Sequence, residues 1–90
     1  MRLPKSEYLI LSLLTSRGDC YGLELVSASR GRLKRGGIYV TLGRMEEKGL
    51  VTSSAGGDDG RRRYRPTALG ARAILAARVF SGQITIGAKA

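Results

Sequence analysis

A mostly α-helical domain with a small β-hairpin is the fold class this sequence predicts, and three observations predict it. Apolar residues recur at helical spacing along most of the chain. One arginine-rich segment behind a glycine-rich run alternates with period two. Ninety residues close one modest core and leave no length for a second domain.

The first helix is expected over 4–15. Leu9, Ile10, Leu13 and Leu14 fall at helical spacing, and Pro4 suits a first turn, where its missing N–H costs nothing. Tyr8 and Leu11 lie on the other side, so this helix is apolar over more of its circumference than one small core uses and is expected to face two surfaces. Arg17 and Gly18 break the pattern. Asp19 is the expected N-cap of a second helix that carries Tyr21, Leu25 and Val26 and ends at Gly31. Four of the six residues 30–35 are basic. Gly36 and Gly37 then open a third helix that runs to about Lys48, with Ile38, Leu42 and Met45 as its buried stripe. Val40, Gly43, Arg44 and Glu47 project from the opposite side, with Tyr39 and Thr41 on the flanks.

Gly49 stops the third helix, after which 50–55 reads as a strand, 56–60 as a glycine- and aspartate-rich turn, and 61–65 as the returning strand. There Arg62 and Tyr64 share one face, and Arg61, Arg63 and Arg65 share the other. Thr67 caps a last helix over about 68–81, with Leu69, Ala73, Ala76 and Phe80 on one stripe and Ala71, Leu75 and Val79 on another. Residues 1–82 thus read as one domain and 83–90, with Ile84 and Ile86, as a short tail that is either a brief strand or a frayed end.

Sixteen Lys and Arg against seven Asp and Glu give a formal charge of +9, which attracts polyanions, nucleic acid first. Histidine is absent and Cys20 is the only cysteine. The usual general base, the Ser–His and Cys–His nucleophile pairs and most zinc ligand sets are therefore missing, and the expectation is no enzyme, no catalytic residue, no metal and no cofactor. Cys20 reads as a small buried residue. With no apolar signal segment, no run near the roughly 20 apolar residues of a membrane span and no internal disulfide, a reducing cytoplasm is the expected location.

Three helices, a two-stranded wing and a closing C-terminal dimerisation helix are the order of a winged helix-turn-helix, whose third helix enters the major groove of duplex DNA. The expected contacts follow from that order. Tyr39, Val40, Thr41, Gly43 and Arg44 face the groove, and Gly36 and Gly37 let the chain approach a phosphate that Lys34 and Arg35 clamp. On the wing, Arg61, Arg62 and Arg63 meet phosphate or a narrow minor groove; the plainer reading of that run is a solvated strand edge. Two apolar stripes on the last helix and a broadly apolar first helix point to a homodimer through Leu11, Ala71, Leu75 and Val79. RNA binding competes, although only five aromatic residues are present for stacking. A winged-helix protein-interaction module also competes, but it leaves the positive charge without a purpose.

The segments Glu7-Tyr8-Leu9-Ile10-Leu11, Tyr21-Gly22-Leu23-Glu24-Leu25 and 37–51, from Gly37-Ile38-Tyr39 to Gly49-Leu50-Val51, resemble the PadR-like transcriptional regulators. So does 60–70, which is similar to that family's wing and the start of its dimerising helix. The resemblance covers roughly 3–80 and implies a homodimeric repressor in which Tyr39 and its neighbours meet DNA and terminal helices pack across the dimer. Many relatives continue through a longer helical C-terminal region. This sequence stops soon after Phe80, so the resemblance implies no effector pocket and identifies no small-molecule effector.

Overall fold

The computed structural model describes the backbone of residues 3–56 and 61–89, and the side chains of these through Val79. Helix α1, Lys5–Arg17, turns Glu7, Ile10, Leu11 and Leu14 inward, the three- and four-residue spacing that puts side chains on one helical face. The Pro4 carbonyl accepts the Tyr8 N–H at its start, and Gly18, at φ +90°, ends it with its N–H on the Leu14 carbonyl. Leu11 is wholly buried in its own chain. The two-surface expectation for α1 fails at that residue because both of its apolar sides are used by one core.

Cys20–Tyr21 forms a two-residue strand, β1, where the sequence predicted the start of a helix. Helix α2, Gly22–Ala28, begins directly behind it. Asp19 is not its cap. Tyr21 stands at that position, and its backbone N–H donates to the Glu24 carboxylate at 2.7 Å, satisfying one of the first-turn donors. The helix also stops short of Gly31. The Ser29 hydroxyl donates to the Val26 carbonyl at 2.7 Å and accepts the Leu33 N–H at 2.9 Å, which turns the chain early and draws Leu33 into the core.

Helix α3, Ile38–Glu47, buries Ile38, Leu42 and Met45 as its spacing predicts. It ends in a paired cap: Gly49, at φ +79°, donates to the Glu46 carbonyl at 3.0 Å, and Leu50 to that of Met45 at 2.9 Å. Strands β2, Val51–Gly56, and β3, Arg61–Pro66, are antiparallel; of the turn expected over 56–60, Gly56 belongs to β2, paired with Arg61, and 57–60 lie outside the described residues. β1 pairs with the far side of β3, with Cys20 opposite Tyr64 and Tyr21 opposite Arg63. The expected two-stranded wing is therefore present as β2 and β3, and β1 adds a third strand that the sequence did not predict, giving a sheet in the order β1-β3-β2.

Helix α4, Ala68–Lys89, starts at Thr67, whose hydroxyl accepts the Gly70 N–H at 3.0 Å and donates to the Gly49 carbonyl. This double contact seats α4 against the end of α3. Gly70 comes so near that a Cβ there would lie 2.0 Å from the Leu50 carbonyl oxygen. That approach also sets the rotation of α4: Gly70 and Ile74 face inward, Ala73 is partly buried, and Leu69 and Ala76 of the expected stripe are exposed. The side chain of Phe80 lies outside the described residues. The tail expected over 83–90 instead continues α4 to Lys89, since glycines such as Gly82 and Gly87 cost a helix about 1 kcal/mol each without forbidding it. The core between α1, α2, α3, α4 and the sheet consists of aliphatic residues with Cys20 and Tyr64.

Candidate nucleic-acid interface

Helix α3 carries two faces with different demands. Its buried stripe fixes it to the core, while Tyr39 and Val40 stand 50% and 57% exposed and Gly43 and Arg44 share the outer side. Large side chains left that open on a rigid helix are available to an outside partner. Thr41 is half-buried. Lys34, Arg35, Gly36 and Gly37 precede the helix, all exposed, with the N–H groups of Gly37 and Ile38 on the Lys34 carbonyl. A Cβ at Gly36, Gly37 or Gly43 would meet nothing within 4 Å, and none of the three has a positive φ. The fold itself therefore gives no reason for glycine at these positions.

Gly22 is the opposite case. Its missing Cβ makes room for the Tyr39 ring, whose Cε1 would lie 2.6 Å from a Cβ built there. The exposed tyrosine of α3 thus rests on bare backbone at the start of α2.

The wing arginines separate by strand alternation. Arg61 and Arg63 both place their guanidinium carbons over the Tyr21 ring, at 4.3 and 4.9 Å from its centroid. Arg63 Nη2 also donates to the Tyr21 hydroxyl at 3.1 Å, a bond that raises the already high pKa of this guanidinium further. Arg62 goes elsewhere: its Nε donates to Ser53 Oγ at 2.9 Å, and Ser53 donates to Glu46 Oε2 at 2.7 Å, which ties the wing to the last turn of α3. Burial pushes the Tyr64 phenol above its ordinary range, and the same cause leads for Cys20.

The positions expected to meet DNA therefore lie at the surface, apart from half-buried Thr41. Arg61 and Arg63 are gathered on one side, and Arg62 is held by a separate chain of hydrogen bonds. Of the residues expected at a subunit interface, Ala71, Leu75 and Val79 are exposed on α4, whereas fully buried Leu11 can offer a partner no surface. Sequence reasoning missed Tyr21 as the platform for the arginines, and it missed the link from Arg62 through Ser53 to Glu46. A two-residue strand gives no periodicity to read, and only the pairing of β1 with β3 brings Tyr21 to them. Among the described residues, no cluster of three metal-ligating side chains occurs and no helix is long and apolar enough to cross a membrane.

A family model described as the transcriptional regulator PadR-like family matches residues 10–76. No curated protein matches the chain. Among solved structures, a PadR family transcription regulator from hypervirulent Clostridium difficile R20291 is 30% identical with a TM-score of 0.67, covering 93% of this chain and 97% of that one. A PadR family transcriptional regulator from Eggerthella lenta DSM 2243 is 28% identical with a TM-score of 0.74, covering 93% of this chain and 78% of that one. The PcaV transcriptional regulator from Streptomyces coelicolor shares the fold at a TM-score of 0.81 and 21% identity; the match covers 92% of this chain and 58% of PcaV.

Proposed function

Since the chain belongs to the PadR-like family of transcriptional regulators, we propose that it binds double-stranded DNA sequence-specifically as a homodimer and represses transcription where it binds. The observation that carries this reading is the outer face of α3: Tyr39, Val40, Gly43 and Arg44 stand open on a helix whose other face is locked into the core, beside wing arginines drawn together on Tyr21. An α-helix fits the major groove, and a rigid one holds its side chains in register with base edges. Lys34, Arg35, Gly36 and Gly37 lead into the N-terminus of α3, where first-turn N–H groups favour a phosphate. Repression follows from occupancy, because a bound dimer excludes polymerase from the same stretch of duplex.

The test is a salt-titrated binding assay on fragmented genomic duplex, followed by recovery of the preferred site. The logarithm of affinity should fall linearly with the logarithm of salt, with a slope of about 0.9 for each neutralised phosphate. Arg44→Ala should cost about 1–3 kcal/mol on the preferred site and much less on random duplex. Equal or tighter binding to single-stranded RNA, or no binding to any duplex, defeats the reading.

A further inference from the structure

Two contacts meet at adjacent residues. Tyr21 carries the guanidinium groups of Arg61 and Arg63 on its ring, and Gly22, the next residue, receives the ring of Tyr39 from α3. The Arg62–Ser53–Glu46 chain ties the wing to the last turn of α3, and this second junction lies at its first turn. We propose that the Tyr21–Gly22 step is a positioning element that sets the wing arginines and the α3 tyrosine in a fixed relation, so that both engage one duplex together.

The inference rests on the duplex-binding reading and adds to it Gly22 and the coupling of Tyr21 to Tyr39 through that glycine. Its physical basis is preorganisation. Arginine side chains are rich in rotamers, and ordering them only on binding lowers affinity. Holding two of them on one aromatic ring, one with a further hydrogen bond to the phenol, removes part of that cost beforehand. It also gathers like charge, a repulsion that a polyanion relieves. At Gly22 the mechanism is steric: any Cβ enters the space of the Tyr39 ring, and the ring, as a side chain at the surface, moves away before the backbone does. Neither residue touches DNA in this proposal.

The test uses the full chain, a duplex selected by the wild type and a random duplex, with a circular-dichroism melt of every variant to separate folding from binding. Gly22→Ala should keep the fold and lower affinity for the selected duplex by about five- to tenfold, with a loss under about twofold on random duplex, because it displaces a residue facing the bases. In a Tyr39→Ala background, the same substitution should change nothing further. Tyr21→Leu should weaken both duplexes by roughly three- to tenfold with the salt slope preserved, since no charge is removed. Tyr21→Phe keeps the ring and should stay within about twofold of wild type. Combined with Arg61→Ala and Arg63→Ala, Tyr21→Leu should add no loss, the non-additivity expected of residues that act through one another. Additive losses in both backgrounds, or tighter binding by Tyr21→Leu, overturn the positioning role while leaving duplex binding intact. A wild type that binds no duplex overturns the underlying reading instead.

Discussion

At the scale of single residues, two buried ionisable groups make predictions of opposite character. Cys20 is 3% exposed, and burial pushes its thiol above the ordinary range. The folded state therefore prefers the neutral thiol: the stability this contributes is present below the ordinary thiol value and is lost as pH rises through the raised folded one. Alkylation of the native protein by iodoacetamide near pH 8 should run at least about tenfold slower than in denaturant, because the thiolate is the nucleophile; equal rates would show an accessible, reactive thiol. Glu7 is also buried, with Lys48 Nζ on its Oε2 at 2.7 Å and no partner for Oε1 among the described residues. Lys48 is half exposed, which screens the pair, but removing it strands a buried carboxylate. Lys48→Met should therefore cost about 1–3 kcal/mol by denaturant unfolding, and the double variant Glu7→Met/Lys48→Met should recover much of that loss. An unchanged midpoint in Lys48→Met would show the carboxylate to be satisfied from elsewhere.

At the scale of elements, the joint between α3 and α4 is the least forgiving part of the fold. Gly70 faces a backbone oxygen, which cannot rotate away as a side chain can, so Gly70→Ala must shift α4 along or away from the end of α3. The substitution should destabilise by about 3 kcal/mol or more in chemical unfolding, at the upper end of overpacking effects, whereas Gly43→Ala, with open space around its Cβ, should gain up to about 1 kcal/mol from helix propensity. A Gly70→Ala variant as stable as wild type would mean that α4 can slide freely. How much the sequence discloses follows the same division between local and long-range causes. The Ile38, Leu42 and Met45 stripe of α3, the Thr67 cap and the alternation that separates Arg62 from Arg61 and Arg63 are local patterns, legible from spacing alone. Strand β1 is too short to have a period and exists only because β3 pairs with it. The rotation of α4 is set by one glycine's fit against Leu50, which puts the buried Gly70–Ile74 line one position out of phase with the stripe that spacing predicts. Leu11 is buried for a related reason: a helix apolar on several sides is wrapped by one small core when α2, α4 and the sheet all close on it.

At the scale of the whole molecule, the question is what covers the outer side of α4. This helix is 22 residues long, about 33 Å, yet Ile74 is the last of its described side chains to be fully buried. Leu75 and Val79 follow one turn apart at 60% and 56% exposure, with Ala71 one turn earlier on the same side. A 90-residue chain has a narrow margin of stability, and burying this stripe against a second copy would add apolar contact that the monomer cannot make for itself. We therefore expect a dimer in sedimentation at micromolar concentration, and Leu75→Asp/Val79→Asp should dissociate it while leaving the monomer's helical signal. The consequence for binding is larger than the interface itself. Joining two recognition helices makes the second contact intramolecular, so the dissociated variant should lose about 100-fold or more on the preferred duplex and far less on a duplex carrying one half-site. The wild-type footprint should show two half-sites with centres about 10–10.5 base pairs apart, or a multiple of that, since each copy of α3 must meet the same face of the double helix. A wild type that stays monomeric at micromolar concentration, with the α4 double variant binding duplex as tightly as wild type, would leave the stripe without a partner of its own kind and confine the functional unit to a single copy of α3 and its wing.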